Sequence, residues 1–210
     1  MIAAHIVIVD YGMGNRRSVE KALARVGARV SISSDPEALL AADGIVLPGV
    51  GAFPRAMANL RELGLDDALA ERRAAGVPLL GVCLGMQLLF ERSVELGGAE
   101  GLGFLPGEVV ALDAGGAKLP HIGWNLVTFR HGSELVAGLP DATPFYHVHS
   151  FAAVPDDPGD VLGTSEYGSP FVSVVARPPL YGVQFHPEKS SAHGLALLRN
   201  FTAVCGRIAA

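Results

Sequence analysis

The sequence is poor in cysteine, tryptophan and charge. Two cysteines, Cys83 and Cys205, stand far apart with no CxxC spacing, so neither a disulfide framework nor a structural zinc site holds the chain together. One tryptophan is present, and charged residues make up 18% of 210 positions with a net charge of −5. A mildly acidic chain argues against a nucleic-acid or anionic-membrane partner. The longest apolar stretch, residues 77–90, contains Gln87 and falls short of the ~20 residues a membrane span needs. The opening residues lack a basic start and a small-residue cleavage pattern. A cytoplasmic protein is therefore expected. Repeats and low-complexity tracts are missing as well.

Hydrophobic residues are plentiful, at 50%, enough for residues 1–210 to form one domain with a full core. The 26 glycines and 14 prolines make about 19% of the chain, above the roughly 12% of average usage but below disordered compositions. Each glycine cluster therefore needs a local cause.

The first half alternates strand and helix. Residues 5–9 form an apolar run, followed by Gly12, Gly14 and a helix with Val19, Leu23 and Val26 on one face. Residues 28–33 read as a second strand, and Asp35-Pro36-Glu37 opens a helix as N-cap, first-turn proline and first-turn acid. A third strand over 44–47, helices over 53–63 and 65–75, a fourth strand over 77–82 and a helix over 84–92 complete the pattern. After a glycine-rich stretch, strands are expected over 108–113, 126–130, 144–154, 160–165, 171–176 and 180–185, with a final helix over 191–204. The fold class expected is α/β: an open, mostly parallel central sheet with helices on both faces and antiparallel strands added in the second half.

Gly81-Val82-Cys83-Leu84-Gly85 sits where an apolar strand passes into a helix. This is the nucleophile-elbow pattern with cysteine as nucleophile: glycines two positions either side relieve crowding at a strained turn, and the helix start favours the attacking thiolate. The plainer alternative is a core cysteine in a tight turn, the reading preferred for Cys205 among Leu197, Leu198 and Phe201. His186-Pro187-Glu188 follows the last strand, and in extended backbone Glu188 points with His186 and can orient it. His5, His121, His131, His147, His149 and His193 lack that context and read as surface or satisfied core. Pro48-Gly49-Val50-Gly51-Ala52-Phe53 follows the third strand. Its glycines let a peptide rotate an N–H toward an oxyanion, with the Leu84 N–H as second donor; an ordinary turn is the alternative. Gly12-Met13-Gly14 has Arg17 where a dinucleotide-binding turn needs glycine, so NAD is not expected. No metal or other cofactor is indicated.

With Cys83, His186 and Glu188 in this order, the sequence resembles the class I glutamine amidotransferases, whose Gly-x-Cys-x-Gly-x-Gln and His-x-Glu motifs match residues 81–87 and 186–188. Residues 10–15, 48–53, 120–125, 146–150 and 184–191 resemble the branch of that family that feeds a (β/α)8-barrel cyclase in histidine biosynthesis. The resemblance implies Cys83, His186 and Glu188 as catalytic triad. It implies backbone oxyanion donors at Val50, Gly51 and Leu84, and a glutamine site formed by Gly49, Gly51, Gln87, His149, Ser150 and Phe151. It implies docking through Met13, Asn15, Pro120, His121, Trp124, Tyr146 and Lys189. The cyclase subunit would take ammonia through a tunnel and yield imidazole glycerol phosphate and aminoimidazole carboxamide ribotide. Phe151 departs from the tyrosine more usual in the family; if the segment grips substrate through backbone, little changes. A glutaminase serving another synthase, a cysteine peptidase or esterase on the same elbow, and a noncatalytic binding module are the rival readings; Gln87 speaks against the peptidase.

Overall fold

The computed structural model describes residues 4–130 and 132–208; His131 lies outside them. The elements in chain order are β1 (His5–Val9), α1 (Arg16–Arg25), β2 (Arg29–Ser33), α2 (Pro36–Leu40), β3 (Gly44–Gly49), α3 (Phe53–Glu62), α4 (Leu65–Ala74), β4 (Leu79–Cys83), α5 (Leu84–Gln87), β5 (Phe90–Ser93), β6 (Ala99–Glu100), β7 (Leu105–Ala111), β8 (His121–Phe129), β9 (Ala142–His149), β10 (Phe151–Pro155), β11 (Val161–Tyr167), β12 (Ser169–Arg177), β13 (Leu180–Val183) and α6 (Ser191–Ile208). The Asp35 carboxylate caps α2 by accepting from the Glu37 N–H at 3.1 Å, ahead of Pro36.

The main sheet runs β2-β1-β3-β4-β13-β12-β11-β8-β9. The pairings from β2 to β13 are parallel and the rest antiparallel. Ile6 and Ile8 pack into one cluster with Phe201 of α6, Val7 and Val9 into another with Phe53 and Leu60 of α3. Both faces of β1 are thus covered, which explains its unbroken apolar run. Removing a side chain as buried as Phe201 costs about 3–5 kcal/mol.

Three sequence expectations change. The helix over 84–92 is a single turn, α5, and residues 90–93 form β5 instead. The Leu88 and Leu89 carbonyls accept from Leu102 and from Phe104 and Leu105, so the next turn of helix has lost its acceptors; a short apolar run cannot distinguish the two outcomes. One turn also carries little of the helix dipole expected behind Cys83. The strand over 144–154 divides at Ser150 into β9, at the edge of the main sheet, and β10, in a second sheet ordered β10-β7-β5-β6. The strand over 126–130 begins five residues earlier, at His121.

Candidate active site

Cys83 ends β4 in a backbone conformation, φ 57° and ψ −112°, that non-glycine residues seldom adopt. The flanking glycines make this possible. A Cβ on Gly81 would lie 2.6 Å from the Gly85 carbonyl oxygen, and one on Gly85 would collide with the Leu47 carbonyl. The elbow therefore depends on close backbone approach between β3, β4 and α5, and Cys83 is 6% exposed.

Strand β13 lies parallel beside β4, with Val183 opposite Val82. The two chains therefore leave the sheet on the same side, and His186 arrives beside Cys83. Its Nδ1 lies 3.0 Å from Glu188 Oε1; a carboxylate only accepts, so Nδ1 carries a proton and the other ring nitrogen serves Cys83. Burial lowers the basicity of the ring, but hydrogen bonds to Cys83 and Glu188, together with their charge, outweigh it and raise the pKa to about 9. The imidazole is thus held protonated at neutral pH. Its backbone is pinned from both sides, the N–H donating to the Tyr146 carbonyl at 2.9 Å and the carbonyl accepting from the Ser190 hydroxyl at 2.6 Å.

A cavity of about 330 Å³ opens over Cys83, lined by Val50, Gly51, Leu84, Gln87, Glu95, Pro120, Val148, His149, Ser150, Phe151, His186 and Lys189. A slightly larger cavity, about 420 Å³, lies between the sheets around Leu112 and Phe171 and has no cysteine or histidine in its walls. Gly49 belongs to the end of β3, not to a loop, and packs against the Tyr11 hydroxyl, which donates to the Pro48 carbonyl at 2.8 Å. Gly51 has φ +99° and Val50 is exposed, so the peptide between them sits at the rim.

The wall opposite is held by buried amides and imidazoles. Gln87 Nε2 donates to the Phe151 carbonyl at 3.0 Å. His149 Nδ1 donates to the same carbonyl at 2.9 Å, and its Nε2 accepts from His121 Nδ1 at 3.0 Å. Both ring nitrogens of His149 are therefore occupied within the protein, and its part in the site is to hold residues 150–151 in place. Its pKa falls to about 4 and that of His147 to about 3, in each case first through burial. Among the described residues no group of three or more His, Cys, Asp or Glu side chains could hold a metal ion.

The expected docking residues divide into two kinds. Ile122, Trp124 and Leu126 line the outward face of β8 at 60%, 54% and 55% exposure, with Trp124 edge-on to the Tyr146 ring. Pro120 and Lys189 are exposed beside the cavity, and Met13 and Asn15 are half-buried. His121 is corrected: alternation along β8 turns it inward, 3% exposed and stacked on Tyr167. It cannot meet a partner directly.

The family model described as Glutamine amidotransferase class-I matches residues 7–205. The chain belongs to the class I glutamine amidotransferases. Imidazole glycerol phosphate synthase subunit HisH from Moorella thermoacetica is 54% identical over 196 residues, 93% of each chain. The protein of the same name from Symbiobacterium thermophilum is 52% identical over 200 residues, 94% of this chain and 93% of that one. The amidotransferase fold is also close to solved structures of PurLQS from Thermotoga maritima (TM-score 0.76, 17% identity, 97% and 99% of the two chains) and of a protein described as glutamine amidotransferase (0.75, 22%, 95% and 98%).

In this amidotransferase, sequence reasoning overlooked Glu95, whose Oε2 accepts from the Phe53 N–H at 2.8 Å while the residue lines the cavity. No local motif marks it; only the meeting of the second sheet with α3 brings it there. Leu126 was also missed, although its alternation with Val127 was readable once the strand start was known.

Proposed function

We propose that this chain is the glutaminase subunit of an imidazole glycerol phosphate synthase: it hydrolyses L-glutamine to glutamate and ammonia and passes the ammonia to a (β/α)8-barrel cyclase subunit, in the histidine biosynthesis of the cytoplasm. The single observation that carries the chemistry is the placement of His186 between Cys83 and a buried Glu188 at the floor of a cavity of amino-acid size. The Cys83 thiolate attacks the side-chain amide carbon. Backbone N–H groups of Leu84 and of the 50–51 peptide receive the oxyanion, each worth up to about 3 kcal/mol in acyl transfer. His186 delivers its proton to the departing nitrogen, ammonia leaves, and a glutamyl thioester remains. Water, giving a proton back to His186, attacks the thioester and releases glutamate. Glu95 is the carboxylate suited to the substrate ammonium, and the peptide around Ser150 to the carboxylate. The exposed Ile122, Trp124 and Leu126 stripe supports docking of the cyclase on that face, and the names of the relatives support the synthase.

Glutamate release should be measured for the chain alone, with its cyclase, and with cyclase plus its nucleotide. Strong stimulation in the last mixture is expected; equal rates in all three would overturn the pairing.

A further inference from the structure

Gln184 carries a second contact to the nucleophile. Because Val183 pairs with Val82 in parallel strands, Gln184 and Cys83 follow them side by side at the end of the sheet. Gln184 is wholly buried, and its amide lies between two partners, Gln87 and Cys83. Which end faces which is decided by the backbone. The Phe151 carbonyl only accepts, so the nitrogen of Gln87 must face it, at 3.0 Å. The second N–H of that nitrogen meets Gln184 at 3.0 Å and requires its oxygen. The Gln184 nitrogen is thereby left 3.8 Å from Cys83 Sγ, as a donor. One carbonyl thus orients two amides in series and aims an N–H at the sulfur.

We propose that Gln184 is a catalytic residue of this glutaminase, its amide N–H stabilising the Cys83 thiolate before attack. A neutral donor favours the charged form of the atom it faces. In the thiol form the S–H is directed instead at the Val148 carbonyl, 3.7 Å away; on ionisation the proton leaves to solvent, and the sulfur accepts from the protonated His186 and from Gln184. The other titratable groups nearby are Glu188 behind His186, Tyr11 beneath the strand, and His149, Glu95 and Lys189 around the cavity. Substitution of Gln184 leaves all of these in place.

The inference rests on Cys83 being the glutaminase nucleophile, and its test is read without glutamine. Alkylation of Cys83 by iodoacetamide is followed against pH by peptide mass spectrometry, in the native full chain, in Gln184→Glu and in Gln184→Met. Glutamate keeps an acceptor for Gln87 but loses the donor when ionised; methionine loses the donor without adding charge. The alkylation midpoint is expected to rise by about one pH unit in Gln184→Glu, a tenfold change, and by less in Gln184→Met. The kcat should fall roughly tenfold while KM for glutamine changes less than about twofold. With folding checked by circular dichroism, a raised midpoint in Gln184→Met carries the proposal, because the charge of Gln184→Glu raises the midpoint even without a lost donor. An unmoved midpoint overturns the proposal even if kcat falls, because a purely packing role would lower kcat without moving it. Failure of the native chain to release glutamate would instead refute the glutaminase reading.

Discussion

Buried histidines occur at the parallel junction and in the antiparallel half, and their titration is shifted in opposite directions. At the junction of β4 and β13, His186 meets Cys83 and Glu188 and its pKa rises to about 9. In the antiparallel half, His147 and His149 face carbonyls, a serine and each other, and fall to about 3 and 4. Desolvation acts on all three in the same direction. The difference is the carboxylate and thiol hydrogen-bonded to His186: burial alone lowers a histidine, and only such partners reverse the sign. The same division runs through the architecture. Parallel strands end together and gather Cys83, His186 and the 49–51 segment at one edge. The outer antiparallel pair keeps one side toward solvent and presents the exposed Ile122, Trp124 and Leu126 stripe.

Breaking the chemical side of this comparison should have the largest effect. Cys83→Ala is expected to lose about 10⁴-fold or more of glutaminase activity while still binding glutamine in a calorimeter and unfolding as the native chain does. Activity unchanged by that substitution would return the chain to a binding module. Gly51→Val comes next: at φ +99° a β-branched side chain is strained, and its Cβ would lie 2.8 Å from Met13 Cε. Cyclase-stimulated turnover should drop about 100-fold, the scale of one oxyanion donor, with a smaller loss in the unstimulated rate. If stimulated turnover survives intact, the 50–51 peptide is not an oxyanion donor.

The two histidine sites predict two pH limbs. Stability from His186 is complete below its ordinary pKa of 6.5 and is lost as pH rises through about 9. Stability from neutral His147 and His149 is complete above 6.5 and is lost as pH falls toward about 3 and 4 respectively. Urea titrations from acid to alkaline pH should show both limbs, with His186→Gln flattening only the alkaline one and His147→Phe only the acid one. Glutaminase activity should fall about tenfold per pH unit above about 9 as the proton donor is lost. Trp124→Ala sharpens the docking side: partner affinity should weaken by about 2 kcal/mol, roughly 30-fold, with basal glutaminase and thermal stability unmoved. Phe151→Tyr should be smallest, under about twofold in kcat/KM, if residue 151 acts through its carbonyl.

Much of the site was legible because its parts are local. The elbow glycines, the His-Pro-Glu triplet and the glycine-flanked Val50 each announce a backbone requirement within a few residues. What sequence reading missed depends on distant partners. The one-turn α5 ends because carbonyls at 88–89 are taken by a segment more than ten residues away, and the break at Ser150 exists because β9 and β10 serve different sheets. His121 looked like a docking residue until the register of β8 turned it inward.

By itself the sequence determined the α/β alternation and membership of the amidotransferase family, and it singled out Cys83, His186 and Glu188 as the proposed triad, since these rest on hydrophobic period and on residue types at short fixed spacings. Only the tertiary structure decided that Glu95 reaches the cavity and that His149 braces the segment beside it. It also decided that a carbonyl at residue 151 orients Gln87 and, through it, Gln184. A hydrogen bond's direction depends on which groups meet across the fold, and no spacing along the chain encodes that.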